Sequence, residues 1–162
     1  MIFRALLVTA SLTLALPVAG PVTAEVPAAV KPTPTSLVFD LEGTVLLVDP
    51  VGDQEPYFRY GRPDIVVLTG RDPSRLSIDT MIGLLRRDTV VLAPQDVIDA
   101  LPLMISNNTR APFDPWTRQT VRGITFEAVP GDMSLPVGAA SYPRDAGSIR
   151  VKMIVGDEEV FF

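Results

Sequence analysis

The chain has 162 residues, of which 47% are hydrophobic and 20% are charged, and its formal net charge is −5. This composition suffices for one domain with a substantial core, is too hydrophobic for an intrinsically disordered chain, and argues against binding to nucleic acid or anionic lipid. The chain contains no histidine and no cysteine, which excludes disulfides and the ordinary zinc site built from imidazole and thiolate ligands.

The first 35 residues are typical of a targeting segment followed by a linker. Arg4 precedes an apolar run over 5–16, which a proline and a glycine interrupt before small residues at 22–24, so we predict that residues 1–24 are a secretory signal peptide. A membrane anchor is the alternative, but the run is too short to span a bilayer. We expect cleavage, a periplasmic or secreted location and no stable membrane span. Residues 25–35 are rich in proline and predict an extended linker.

A β-hairpin is the first element that the pattern predicts. Residues 36–40 and 44–48 are apolar and β-branched, and a Glu-Gly pair at 42–43 separates them. Such a pair favours a tight turn because glycine tolerates positive φ.

A β-α-β-α succession follows the hairpin. Residues 51–63 have the composition of a loop, and 64–68 form an apolar run typical of a strand buried on both faces. Helical periodicity extends over 73–87, another buried strand is predicted over 89–93, and a helix over 95–101 follows a proline. This alternation predicts a sheet with parallel strands.

The last part of the chain favours antiparallel strands. Residues 120–121 and 124–129 flank an Arg-Gly turn, and 148–155 and 160–162 flank a Gly-Asp turn. Alternation of apolar and polar residues in the third of these segments predicts one buried and one wetter face.

Residues 38–45, Val-Phe-Asp-Leu-Glu-Gly-Thr-Val, resemble the nucleophile motif of haloacid-dehalogenase phosphatases, Asp-x-Asp-Gly-Thr. The resemblance implies Asp40 as the nucleophile, with magnesium neutralising the phosphate charge. Here Glu42 replaces the second aspartate, and the following residues continue as a strand. The alternative interpretation is a plain hairpin turn.

A longer resemblance covers residues 36–162. The order of hairpin, strands and helices is similar to the N-terminal half of the metallo-β-lactamase superfamily, particularly its ascorbate-phosphate-lactonase-like branch. The matching segments are the hairpin, Leu46-Leu47-Val48-Asp49-Pro50, Pro63 to Thr69, Val90 to Pro94, and Gly123 to Pro130. The resemblance implies an α/β (α+β) domain with a mixed sheet and helices on one face, half of an αββα sandwich. It gives Asp49, Pro50 and Pro130 the role of fold-motif positions.

The metal ligands of that family are missing from the matching positions. In the family a strand ending in threonine leads into His-x-His-x-Asp-His-Leu, whereas this chain keeps only the threonine and the leucine, as Thr69 and Leu76. The remaining degenerate positions are Gly70, Asp72, Ser74 and Arg75, and the third family histidine would fall near Met133. Arg75 would repel a divalent ion. We therefore predict no bound metal, no cofactor and no catalytic residue at this loop.

Two alternatives describe the charged side chains of this loop. Arg71, Asp72 and Arg75 can form an exposed group of ion pairs, or Arg71 and Arg75 can form an anion-binding pocket.

The missing half of the sandwich suggests a partner. A half-sandwich is expected to leave an apolar sheet face that a second copy of the chain, another exported protein or the chain's own loops must cover. Tyr57, Phe58, Tyr60 and Trp116 have the composition of interface anchors, with core packing as the alternative. The terminal pair Phe161-Phe162 is expected to end a buried strand.

The leading functional hypothesis is an exported, non-catalytic binding or scaffold module, active as a homodimer or with another exported protein. A second hypothesis keeps metal-dependent hydrolysis of a lactone or phosphoester, using Asp49, Asp72, Glu127 and Asp132 as hard-cation ligands or acid and base. A phosphatase built on Asp40 is the third.

Overall fold

The computed structural model describes residues 28–105, 109–131 and 148–162. The predicted signal peptide, Asp132 and Met133 lie outside the described residues. The strands are β1 (Leu37–Leu41), β2 (Thr44–Val48), β3 (Ile65–Val67), β4 (Val90–Ala93), β5 (Thr109–Pro112), β6 (Arg118–Val121), β7 (Ile124–Pro130), β8 (Ile149–Val155) and β9 (Glu158–Phe161). The helices are α1 (Glu55–Phe58), α2 (Ile78–Leu84) and α3 (Gln95–Ala100), with a 3-10 turn at Leu103–Ile105.

The first sheet is mixed and has the order β1-β2-β3-β4-β5. β1 and β2 pair antiparallel, and the other neighbours pair parallel, which confirms the hairpin and the β-α-β-α succession. Every residue of β3 is buried, as expected for a strand covered on both faces. β5 was not predicted. It is a short edge strand that ends in Pro112. A proline in a sequence argues against a strand in the middle of a sheet, but an edge strand tolerates it.

The helices form a layer on one face of this sheet. Met81 and Leu84 of α2 and Val97 of α3 are fully or almost fully buried against strand residues such as Leu47 and Val66. α2 begins at Ile78, several residues later than the periodicity indicated, because Ser77 accepts a hydrogen bond from the Thr80 amide as the N-cap. None of the helices among the described residues is long and apolar enough to cross a membrane.

The second sheet is antiparallel, with the order β6-β7-β8-β9, and covers the other face of the first sheet. Its inward side chains, including Phe126, Val151 and Met153, share one buried cluster with Phe39, Leu46 and Leu92 of the first sheet. The alternation predicted for residues 148–155 is confirmed. The described residues therefore form three layers, helix, sheet and sheet.

The outward face of the second sheet is polar, contrary to the expectation of an uncovered apolar face. Glu127 of β7 pairs with Arg118 of β6 at 2.9 Å and with Lys152 of β8 at 3.4 Å, and Lys152 pairs with Glu159 of β9 at 2.7 Å. Cross-strand pairs of opposite charge such as these stabilise a sheet face that is exposed to solvent. The expectation was wrong because it assumed one sheet, whereas the chain supplies two that bury each other's apolar faces.

The aromatic residues proposed as interface anchors divide between core and surface. Tyr57 is fully buried and Tyr60 packs partly buried against the helix layer, while Phe58 and Trp116 are exposed. The loop interpretation of residues 51–63 missed α1, which carries Tyr57 inward. Phe162 packs on the core between the sheets, but Phe161 is 64% exposed, so the expectation of a wholly buried terminal strand holds only in part.

Replacing Tyr57 with phenylalanine is expected to lower the free energy of unfolding by about 1–3 kcal/mol, because buried polar groups lose their partner. The Tyr57 hydroxyl lies 2.7 Å from the Val51 carbonyl oxygen and 2.8 Å from Ser36 Oγ, and it accepts a hydrogen bond from the Val51 amide. Urea unfolding measures the change. Tyr60→Phe is the control, since no hydrogen bond joins its hydroxyl to another described residue, and an equal loss in both variants would contradict the prediction.

Candidate functional site

The loop that carries the degenerate metal motif, residues 69–76, follows β3 and lies against the start of β8. The Ile149 amide donates to the Thr69 carbonyl oxygen at 2.8 Å, and Gly70 forms an antiparallel bridge with Ser148. The Gly131 amide, just after β7, donates to the Ser148 carbonyl oxygen at 2.9 Å. The ends of β3 and β7 and the beginning of β8 therefore meet at one edge of the sandwich.

Asp49 anchors this edge from the end of β2. Its carboxylate accepts hydrogen bonds from the Thr69 amide at 2.7 Å and from Thr69 Oγ1 at 2.5 Å. Its own carbonyl oxygen accepts from Ser36 Oγ, and its backbone has a φ of 45°, in the left-handed region that aspartate tolerates better than most residues. Asp49 thus connects the end of β2 to the loop after β3 through hydrogen bonds, which gives it a structural role.

Asp49 is buried, with only 4% of the residue exposed. Burial raises its pKa from 3.8 to about 6, while the hydrogen bonds from Thr69 and the positive charge of Arg75 act in the opposite direction. A carboxylate with both oxygens engaged by Thr69 has limited capacity left to bind a metal ion.

Arg75 completes a chain of contacts with Thr69 and Asp49. The Thr69 hydroxyl donates to Asp49 and accepts a hydrogen bond from Arg75 Nη1 at 2.8 Å. The guanidinium therefore points back toward the end of β3, from the position at which the family motif carries a histidine. Sequence reasoning singled out all three residues but did not foresee that they contact one another, because they lie 20 and 6 residues apart.

The other charged residues of the loop have separate partners. Asp72 caps the turn that precedes α2, since its Oδ1 accepts from the Ser74 amide at 2.8 Å. Hydrogen bonds from Ser74 lower the pKa of the Asp72 carboxyl. Arg71 lies 3.7 Å from Asp96 of α3. The structure thus directs Arg71 toward α3 and Arg75 toward Thr69, and does not show the three residues as one group of ion pairs.

The carboxylates considered for a hard-cation site do not converge within the described residues, where no three acidic side chains form a group that could hold a metal. Glu127 belongs to the ion pairs of the second sheet, whereas Asp49 and Asp72 belong to the loop edge. Together with the Arg75 guanidinium, this donor set does not fit the metal centre that the resemblance would imply.

Asp40 belongs to a hairpin turn. Its carboxylate accepts from the Gly43 amide at 3.0 Å, and Glu42 and Gly43 both have positive φ. The two strands that flank the turn are paired over their full lengths. The alternative interpretation of the dehalogenase-like segment as a plain turn accounts for every one of these contacts.

A groove runs past Arg75 and Phe162 along the loop edge. Gly131, Ser148, Ile149, Arg150 and Phe161 line the larger part of it, which has a volume of about 530 Å³. Lys31, Asp49 and Thr69 help to line the adjoining part. Lys31, Arg75 and Arg150 are the basic residues among the described residues that line the groove, and Asp49 is the acidic one.

The sequence matches no protein-family model and no curated protein. Solved structures do match. A protein assigned as a metal-dependent hydrolase from Parabacteroides distasonis has a TM-score of 0.60 and 17% identity, over 78% of this chain and 55% of its own. Zn²⁺-bound PqqB from Methylobacterium extorquens has a TM-score of 0.57 and 14% identity, over 78% of this chain and 50% of its own. The metallo hydrolase Igni18 from Ignicoccus hospitalis has a TM-score of 0.55 and 11% identity, over 78% and 55%.

These similarities establish the fold. The described residues form part of a metallo-β-lactamase-like metallo-hydrolase fold, which confirms the expected fold class and the resemblance on which it rested. The match spans 50–55% of the length of the three structures named above.

Proposed function

We propose that this chain is an exported, non-catalytic binding module built on a metallo-hydrolase fold. The observation that carries the proposal is the Arg75 guanidinium, which is held by Thr69 at a position where the family motif has a metal ligand. The proposal accounts for a chain that has the fold and the loop of a metallo-hydrolase but lacks the histidine ligands of its metal ions.

The electrostatics of the loop support a site without a metal. A guanidinium keeps its charge at all physiological pH values, and its repulsion of a divalent ion at contact distance amounts to several kcal/mol even at an intermediate dielectric constant. The one buried carboxylate nearby, Asp49, already accepts two hydrogen bonds from Thr69. Building a metal site here would require the loss of these contacts.

Titration with Zn²⁺ and with Mn²⁺ tests the proposal. Isothermal calorimetry on chelator-treated protein is expected to give no saturable heat, and neither ion is expected to raise the melting temperature. Stoichiometric binding with a dissociation constant in the low micromolar range or tighter would overturn the proposal.

The fold also favours a second candidate, metal-dependent hydrolysis through carboxylates. This candidate predicts turnover of a lactone or phosphoester that disappears in Asp72→Ala. Asp72 is exposed and its oxygen caps the turn at Ser74, so we expect no activity that depends on it.

Export and assembly are further parts of the proposal. The charge and hydropathy order of residues 1–24 supports export, and N-terminal sequencing of the protein from its native compartment is expected to find the start near residue 25. The partner is proposed to be a second copy or another exported protein. Sedimentation equilibrium distinguishes these, since a homodimer doubles the mass of the purified chain.

A further inference from the structure

We propose that residues 30–35 form a detachable strap that controls access to Asp49 and Thr69 at the loop edge. This segment is the end of the proline-rich stretch that precedes β1. The proposal goes beyond the function proposed above and does not depend on it, because the strap would limit access to these two residues for any ligand.

Backbone and side-chain hydrogen bonds join the strap to two neighbouring segments. Val30 pairs with Val38 of β1, and each amide donates to the other residue's carbonyl oxygen, at 2.9 and 2.8 Å. At the other end of the strap, the Thr35 hydroxyl donates to the Ser74 carbonyl oxygen at 2.9 Å. The strap therefore connects the edge of the first sheet to the exposed part of the motif loop, residues 69–76.

The prolines of the strap explain why a single bridge joins it to β1. In an antiparallel ladder that starts from the pair of Val30 and Val38, the next hydrogen-bonded pair would join Pro32 to Ser36. Pro32 has no N–H group to donate, and the Ser36 amide instead donates to Thr33 Oγ1 at 3.1 Å. The ladder stops after one bridge, so the strap can leave without breaking a strand of the first sheet.

The strap forms part of the wall of a cavity that Asp49 and Thr69 also line. Lys31, Pro34 and Thr35 are the strap residues in this wall. Asp49 and Thr69 themselves are only 4% and 2% exposed. A ligand can reach groups that are buried to this extent only after part of the surrounding wall moves.

Detachment of the strap costs less than movement of the strands that form the same wall. β1 and β2 are paired along their full lengths, and Phe162 packs in the cluster between the sheets. In the strap, by contrast, Val30 is 40% exposed, and Lys31, Pro34 and Thr35 are exposed as well. Segments that bury few apolar side chains and have exposed hydrogen bonds open first. The strap is therefore the part of this wall that we expect to open.

Thiol labelling tests the proposal, since the chain has no cysteine of its own. Val48→Cys places one thiol in the wall of the cavity, at a position that is 2% exposed. In that background Thr35→Val removes the contact with Ser74, and Val30→Pro removes one donor of the bridge. Each is expected to raise the rate of labelling by an aromatic disulfide reagent about two- to tenfold, as for the loss of one hydrogen bond. Thr35→Ser keeps the hydroxyl and is expected to leave the rate unchanged.

Val91→Cys provides the control for opening of the whole fold, because Val91 is fully buried in the cluster beneath the helices. The strap substitutions are expected to leave the labelling rate of this thiol unchanged. Hydrogen exchange of the Thr69 amide, which donates to Asp49, gives the same comparison without an introduced thiol. The melting temperature verifies that each variant is folded.

Two results would overturn the proposal. In the first, the strap substitutions change neither the labelling of Val48→Cys nor the exchange of the Thr69 amide, which would mean that the strap does not control access. In the second, they accelerate the labelling of Val91→Cys by the same factor as that of Val48→Cys, which would mean that the strap does not detach separately from the rest of the fold.

Discussion

Replacing Asp49 with asparagine is expected to change the difference in unfolding free energy from the wild type by about 2–2.5 kcal/mol between pH 4 and pH 7. Burial raises the pKa of the folded Asp49 carboxyl to about 6, against 3.8 for an exposed aspartate. Because the folded state holds its proton more tightly, Asp49 stabilises the protein fully below pH 4 and this contribution is lost as the pH rises through 6. Asparagine does not titrate, so its profile lacks this decline.

Urea unfolding of both proteins at intervals of half a pH unit measures the effect. Asp53→Asn provides the control because it removes a carboxylate from an exposed loop position, and its profile is expected to run parallel to that of the wild type. Parallel profiles for wild type and Asp49→Asn would contradict the prediction. They would mean that the Asp49 carboxyl is solvated in the folded protein.

Replacing Phe126 with alanine is expected to lower the free energy of unfolding by about 3–5 kcal/mol, since the substitution removes a large side chain from a packed core. Phe126 of β7 is fully buried between the two sheets, in the cluster that contains Phe39 and Leu92. The midpoint of urea unfolding at pH 7 gives the measurement.

The matched control is Phe161→Ala on β9 of the same sheet. The side chain removed is identical, but its exposure is 64%, and the expected change is within about 0.5 kcal/mol. Similar small losses at both positions would show that the second sheet does not pack on the first, and would restore the expectation that an apolar face needs a partner.

Most of the strands were predictable because their signals are local. The runs that became β3 and β4 are continuously apolar, which indicates burial on both faces, and the Glu-Gly and Arg-Gly pairs specify tight turns whatever surrounds them. The alternation in β8 likewise indicated one buried face before any partner strand was known. The misses have equally local causes: β5 contains a proline, and α1 has only four residues.

The candidate site was predictable in part. The resemblance drew attention to Thr69, Arg75 and Asp49 as motif positions, and the absence of histidine and cysteine excluded ordinary zinc ligation. Sequence spacing did not indicate that the Thr69 hydroxyl joins Asp49 to Arg75, or that Arg71 is directed toward Asp96.

What the sequence determined by itself was the chemistry available to this chain: carboxylates and guanidinium groups, but no imidazole or thiolate, on strands whose hydrophobic pattern fixes which faces are buried. The tertiary structure decided which of those groups meet. Contacts such as that between Asp49 and Thr69 depend on the parallel register of β2 and β3, and the covering of one sheet by the other depends on packing between segments far apart in the chain. Local patterns carry no information on such distant pairings, so the buried position of Asp49 and the groove beside Arg75 emerge only when the layers are assembled.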